Sequence, residues 1–281
     1  MIEHNELIKF ITNALNEDLG DGDHTSNACI SENAKNKAEL LIKDNGVIAG
    51  VKLAKLIFQH IDSSLEITQF IEDGEKVKKG DIAFIIQGNT LSILKAERLV
   101  LNCMQLMSAI ATKTNLFKSI ISSTKCKLLD TRKTVPLNRF IEKWAVKIGG
   151  GENHRFGLYD MIMIKDNHID FAGNVLYAIR KTKDYLKRKG KKLDIIVEAR
   201  NLEEVQEIIK AEGIKRILLD NFNYEDTKMA VQIIDNRCET ESSGNINEET
   251  ILHYAKCGVD FVSIGSLTHS IKNFDLSLNA I

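Results

Sequence analysis

Between Thr131 and Arg155 the chain gathers six cations, Arg132, Lys133, Arg139, Lys143, Lys147 and Arg155. Only two acids, Glu142 and Glu152, oppose them, a local charge of +4 before His154 is counted. The six are not equivalent. Arg139, Glu142, Lys143 and Lys147 recur at three- and four-residue spacings, the pattern of a solvated, salt-bridged helical face, and they are read that way here. Arg132 and Lys133 directly follow an apolar run, as does Lys165. His154 and Arg155 follow Gly149-Gly150-Gly151, a loop bare enough for its backbone to approach a ligand. Five cationic or potentially cationic groups on one cavity repel one another unless an anion occupies it. Arginine suits bidentate contacts to carboxylate or phosphate, and lysine acts as a point charge. The expected ligand therefore carries several negative charges.

Elements must bring these groups together. From Cys126 onward, short apolar runs at 127–129, 161–164, 194–197, 217–219, 238–241 and 259–264 alternate with helical stretches, the pattern of a parallel α/β sheet. Each run leads into polar groups: Asp130 to Lys133, Lys165 to His168, Glu198, Asp220-Asn221, Ser242 to Gly244, and Gly265. An open doubly wound sheet concentrates its site at one switch point, whereas a barrel collects groups from every strand end at one mouth. The barrel fits better. Six strands in place of eight imply an incomplete one. Glu198 and Asp220 at this mouth read, each alone, as salt-bridge partners for the cations. Beside a polyanion site the same pair suits hydrated Mg²⁺ that bridges to substrate phosphates. Ser243-Gly244 and Gly265-Ser266 lie where barrels bind phosphate through loop amides.

The first third mixes element types. Leu7, Ile8, Ile11 and Leu15 follow helical spacing. Residues 38–42 and 47–51 flank Asp44-Asn45-Gly46, whose Asn-Gly pair predicts a tight hairpin. Gly74 and Gly80 bracket a further turn, and residues 91–122 predict a long helix linking two domains. The chain's 38 basic and 39 acidic residues leave a formal charge of −1, which argues against a general nucleic-acid binder. Five widely spaced cysteines without a CxxC pair predict neither a disulfide framework nor a zinc cluster, and point to a reducing compartment. The longest run without a charged residue, 99–112, is too short to span a bilayer. Met1-Ile2-Glu3-His4 shows no basic region ahead of an apolar one, so no leader is expected. The reading is a cytoplasmic protein with no membrane association.

Several stretches together resemble one family. They are EDLGDGDHTS (17–26), ERLVLN (97–102), DTRKTVP (130–136), EKWAVKIGGGENHRFGLYDMIMIKDNH (142–168), LDNF (219–222), ESSG (241–244), and the segments around 258–260 and 268–270. In this order they resemble the quinolinate phosphoribosyltransferases, also called nicotinate-nucleotide pyrophosphorylases (carboxylating), essentially end to end. The resemblance implies an N-terminal α/β sandwich over residues 1–108, joined by the tail 268–281, and an open, incomplete parallel α/β barrel of the type II phosphoribosyltransferase kind over 109–267. It implies a homodimer, or an assembly of dimers, with active sites shared between subunits. The implied reaction joins quinolinate to phosphoribosyl pyrophosphate, giving nicotinate mononucleotide, pyrophosphate and CO₂ for NAD biosynthesis, with Mg²⁺ as cofactor.

Carried onto this sequence, the resemblance implies that Arg98 reaches the quinolinate site of the partner subunit. Thr131, Arg132, Lys133, His154, Arg155 and Lys165 would hold carboxylates and phosphoryl groups. Glu198 and Asp220 would face the ribose hydroxyls and, through water, the metal. Ser243, Gly244 and Asn245 with Ser263, Ile264 and Gly265 would bind the 5′-phosphate, and Lys133, Lys165, Glu198 and Asp220 would be catalytic. Three positions depart from the family pattern. Leu137-Asn138 stand where Gly-Leu is common, Arg200 stands where an acid is usual, and Asn245 replaces a glycine. Arg200 either perturbs the metal shell or faces outward.

Rival readings are the related molybdenum-transport-associated branch, a barrel aldolase with Lys165 as Schiff-base lysine, and a non-enzymatic phosphate-ligand sensor. No GxxxxGK[ST] or GxGxxG loop is present. His168 and His269 are read as structural, His24 as either ordering its acidic loop or touching the partner's active site, Trp144 as core, and Met104 and Met107 as core or interface filler.

Overall fold

The computed structural model describes residues 4–281; Met1, Ile2 and Glu3, on which the expectation of no leader rests, lie outside the described residues. The chain forms two compact units. One comprises residues up to Asn115 with Pro136–Gly150 and Ser270–Ile281, the other Leu116–Val135 with Gly151–His269.

In chain order, the first unit begins with α1 (His4–Leu19), α2 (His24–Cys29), β1 (Lys35–Ile42), β2 (Gly46–Val47), α3 (Val51–Ile61), β3 (Glu66–Gln69), β4 (Lys76–Val77) and β5 (Ile82–Asn89). Next comes α4 (Thr90–Ile120), 31 residues of unbroken helix that contain the boundary between the units. The elements after it are β6 (Lys127–Leu129), α5 (Arg139–Ile148), β7 (Ile162–Ile164), α6 (Asp166–Ala172), α7 (Val175–Lys189), β8 (Ile195–Ala199), α8 (Leu202–Ile208) and β9 (Arg216–Asp220). The chain closes with α9 (Tyr224–Ile234), β10 (Glu239–Ser243), α10 (Ile251–Lys256), β11 (Phe261–Ser263), α11 (Ser266–His269) and β12 (Leu276–Ala280).

The first unit is built on a four-stranded sheet of order β12-β1-β5-β3, antiparallel throughout. Its core includes Leu40, Ile42, Ile57, Phe58, Phe84, Ile86, Met104 and Met107, all fully buried. The hairpin predicted across Asn45-Gly46 does not form. β2 pairs with β4, β1 pairs with β12 and β5, and Val51 opens a helix. Gly46 answers a packing need and not a turn: a Cβ there would run into the Thr112 hydroxyl and the Phe274 ring.

Helix α5 corrects a second expectation. Glu142 and Lys143 are buried and not on a solvated face, and both have partners, while Lys147 is exposed. The cause is topological, because segment Pro136–Gly150 is built into the first unit, so most of the helix is covered. Gly149 ends α5 against Ala111 and Thr114 of α4, and none of the three consecutive glycines borders the cavity described below. Trp144 is half-buried.

The second unit carries six parallel strands in the order β6-β11-β10-β9-β8-β7. β6 and β7 are its two ends, so the sheet is an open barrel. All five residues of β8 are buried, as expected for strands covered on both faces. The helices are set by asparagine caps, each at the residue before its helix: Asn174, Asn201 and Asn223 accept the N–H groups of Tyr177, Glu204 and Asp226. Each strand thus ends in a short loop whose C-terminal side faces one mouth. Among the described residues, no helix is long and apolar enough to cross a membrane.

Candidate active site

At the C-terminal ends of these strands lies a cavity of about 780 Å³. β6 delivers Thr131, Arg132 and Lys133, the loop after Gly151 delivers His154 and Arg155, and β7 delivers Lys165. β8 brings Glu198, β9 Asp220, β10 Ser243, Gly244 and Asn245, and β11 Ser263, Ile264 and Gly265. Of the residues assigned from sequence to substrate or metal binding, Arg98 alone is elsewhere, exposed on α4 in the first unit.

Register explains the closest contact. Ile164 pairs with Val197, so the next residues, Lys165 and Glu198, stand side by side, and Lys165 Nζ donates to Glu198 Oε2 at 2.8 Å. Arg132, Lys133 and Arg155 form no salt bridge among the described residues. Burial lowers the Arg155 pKa from its ordinary value, and the neighbouring Arg132 charge lowers it further. This wall is electrostatically incomplete without an anion.

Backbone shape sets the loops after β9 and β10. Asn221, Gly244 and Asn245 have φ of 55°, 103° and 49°, so three residues hold left-handed conformations within two adjacent loops. A Cβ on Gly244 would collide with the Asn221 side chain and lie 3.0 Å from its backbone nitrogen. Asparagine tolerates the conformation that glycine would otherwise supply at 245. Just after β11, the neighbour of β6, Gly265 lets the Lys133 side chain pass: a Cβ would sit 2.9 Å from Lys133 Cδ. The Thr268 hydroxyl donates to the Lys133 carbonyl at 2.7 Å.

Beneath the cations is a buried polar layer. Asp130, fully buried, accepts the His154 backbone N–H (2.8 Å) and the Asn153 amide (2.6 Å). His154 Nδ1 accepts the Arg155 N–H at 2.7 Å, and its Nε2 lies 3.3 Å from Glu241 Oε2. Arg216 bonds the same Glu241 oxygen at 2.9 Å, reaches Glu239, and stacks 3.9 Å over the Phe261 ring.

Burial pushes the Glu241 pKa up, but His154, the Ser263 hydroxyl and Arg216 together outweigh it and hold the carboxyl below its usual range. Sequence reading missed Glu241, which looked like one more strand residue. His269, read from sequence as structural, borders the cavity. His168 Nδ1 accepts the Lys165 N–H, a supporting role. Arg200 is bound to Asp170 and Glu204 and does not border the cavity, so of its two readings it faces outward.

Among the described residues, no three His, Cys, Asp or Glu side chains form a metal cluster. Glu198 and Asp220 provide two carboxylates only, on adjacent strands, with one oxygen of each already bonded, to Lys165 and to the Asn221 amide. That donor set fits a largely hydrated Mg²⁺ completed by substrate oxygens, not an all-protein cage.

The family model for the quinolinate phosphoribosyl transferase N-terminal domain matches residues 23–108, and that for the C-terminal domain matches residues 110–279. The chain belongs to the quinolinate phosphoribosyltransferase family. Family relatives include the chloroplastic nicotinate-nucleotide pyrophosphorylase [carboxylating] of Arabidopsis thaliana, 45% identical over 97% of this chain and 82% of that one. The probable nicotinate-nucleotide pyrophosphorylase [carboxylating] of Bacillus subtilis is 36% identical over 99% of this chain and 94% of its own. The crystal structure of NadC from Streptococcus pyogenes superposes with a TM-score of 0.93 at 35% identity, covering 100% of this chain and 99% of that one. The two-domain quinolinate phosphoribosyltransferase fold expected from sequence, a sandwich and an open barrel, is the fold observed.

Proposed function

We propose that the cavity binds quinolinate beside phosphoribosyl pyrophosphate, and that the protein joins them with loss of CO₂ to give nicotinate mononucleotide and pyrophosphate for NAD biosynthesis. One observation carries the reading: Arg132, Lys133 and Arg155 stand without carboxylate partners among the described residues and border the same cavity as loops whose amides are shaped by left-handed residues. Two substrate carboxylates answer the cations, and a 5′-phosphate answers the loops.

In this reading Arg132, Lys133 and Arg155 hold the pyridine dicarboxylate, oriented by the His154 loop. The amides around Ser243, Gly244, Asn245 and Gly265 hold the phosphate. Glu198, aligned by Lys165, and Asp220 face the ribose hydroxyls. A Mg²⁺ ion held through water by the two carboxylates would neutralise charge on the pyrophosphate. Departure of pyrophosphate through an oxocarbenium-like transition state is then met by the pyridine nitrogen at ribose C1, and decarboxylation follows. The residues contribute alignment and fixed charge, not a covalent nucleophile.

Arg98, exposed on its helix, completes the quinolinate site of a second copy in a homodimer or an assembly of dimers. The cytoplasm is the proposed compartment, supported by five cysteines that are all free.

The test is incubation of pure protein with quinolinate, phosphoribosyl pyrophosphate and Mg²⁺, with detection of nicotinate mononucleotide and CO₂. Turnover of nicotinate in place of quinolinate overturns the substrate assignment. For the shared site, Arg98→Ala and Lys133→Ala proteins, each inactive alone, regain activity when mixed and allowed to exchange subunits; no recovery refutes the role of Arg98.

A further inference from the structure

Glu241 is fully buried and borders the cavity. Its Oε2 is shared between Arg216 below and the His154 ring above. The ring's other nitrogen is committed as an acceptor, because it receives the Arg155 backbone N–H. A neutral imidazole with an acceptor at Nδ1 carries its proton at Nε2, the nitrogen that lies 3.3 Å from Glu241 Oε2. The arrangement therefore admits one tautomer. The other would place an N–H against the Arg155 N–H and a lone pair against a carboxylate. Asp130 pins the same stretch from the backbone side, accepting the His154 N–H. Arg155, at the end of this chain, borders the cavity and donates from Nη1 to the Met161 carbonyl at 3.4 Å.

We infer that Glu241 is a positioning residue: anchored by Arg216, it fixes the Nε2–H tautomer of His154, and through the His154–Arg155 backbone bond it holds the Arg155 guanidinium toward the substrate carboxylate. The inference rests on the proposed reaction, since Arg155 is taken there as a quinolinate ligand. It adds a residue that makes no substrate contact of its own. Glutamine at 241 preserves volume; with its amide oxygen kept by Arg216, its N–H₂ group turns to His154, which then accepts at Nε2 and gives up its bond to Arg155.

Two measurements test this separately from the reaction itself. Nitrogen NMR of ¹⁵N-histidine protein at neutral pH should show His154 with Nε2 protonated and Nδ1 bare, and Glu241→Gln should shift it toward the Nδ1–H form. This readout needs no turnover, and an Nδ1–H signal in the wild type overturns the inference.

In kinetics, Glu241→Gln should raise KM for quinolinate by about tenfold, as expected for an unsatisfied buried partner. In a His154→Phe background, where Glu241 has no ring nitrogen to hold, the same change should have no further effect on that KM. Additive effects refute action through His154. Absence of quinolinate turnover in the wild type overturns the proposed reaction but leaves the tautomer result standing. Should Glu241→Gln fail to fold, the wild-type tautomer alone decides.

Discussion

Lys165 Nζ and Glu198 Oε2 meet at 2.8 Å because the parallel ladder places Ile164 beside Val197. The pair is asymmetric: the lysine side chain is 45% exposed and the glutamate 8%. A half-solvated ion pair adds little to stability, so its value lies in aiming Glu198. Glu198→Gln should lower kcat by about 100-fold while changing unfolding free energy by no more than about 1 kcal/mol. Steady-state kinetics beside thermal melts check both halves, and a variant that keeps full kcat refutes the assignment.

Gly244 sits at φ 103° with no room for a side chain beside Asn221. Gly244→Ala must either push the Asn221 side chain aside or shift the loop. The expected result is a loss of about 1–3 kcal/mol of stability and a raised KM for phosphoribosyl pyrophosphate with that for quinolinate nearly unchanged. Equal rises in both KM values would place the phosphate elsewhere.

Leu137 has φ 67°, a conformation that favours glycine, and the residue is 91% exposed. The leucine thus keeps a glycine-type backbone and bears the strain without any burial to offset it. Leu137→Gly should stabilise the protein by about 1 kcal/mol, less the extra freedom glycine gives the unfolded chain. Urea denaturation measures this, and a clear loss of stability would show that the leucine is held by contacts.

Glu239 and Glu241 are both held below their ordinary value of 4.5, each against an opposing effect of burial. A carboxylate with a depressed pKa in the folded state binds fewer protons there than in the unfolded chain. Its stabilising contribution is complete above pH 4.5 and fades as pH falls through the folded value. Unfolding free energy should therefore decline as pH falls below about 4.5, and less steeply in Glu239→Gln. Identical slopes for wild type and variant would contradict the linkage.

The barrel was legible because strands covered on both faces are written as short apolar runs, and the polar residue after each run, from Arg132 to Gly265, is where the cavity lies. What escaped was whatever depends on distant partners. Asn45-Gly46 has the chemistry of a turn, yet β2 finds its mate at Lys76–Val77. Glu142 and Lys143 have helix-surface spacing, yet their helix is enclosed by a unit built largely from other parts of the chain. Glu241 looks ordinary until Arg216 and His154 arrive on either side of it. Leu137 hides a backbone conformation that no side-chain pattern encodes.

The pairing of β1 with β12 has a further consequence during synthesis. Ala38 lies opposite Ala280, partners about 240 residues apart. At roughly 5–20 residues per second, the ribosome delivers the strand that closes this edge on the order of tens of seconds after β1 has emerged. Throughout that interval one side of β1 offers unpaired backbone groups to any neighbouring nascent chain. Lys35, Lys37 and Glu39, alternating with buried Ala38 and Leu40, are the charges that keep such a strand from adhering to its copies while it waits.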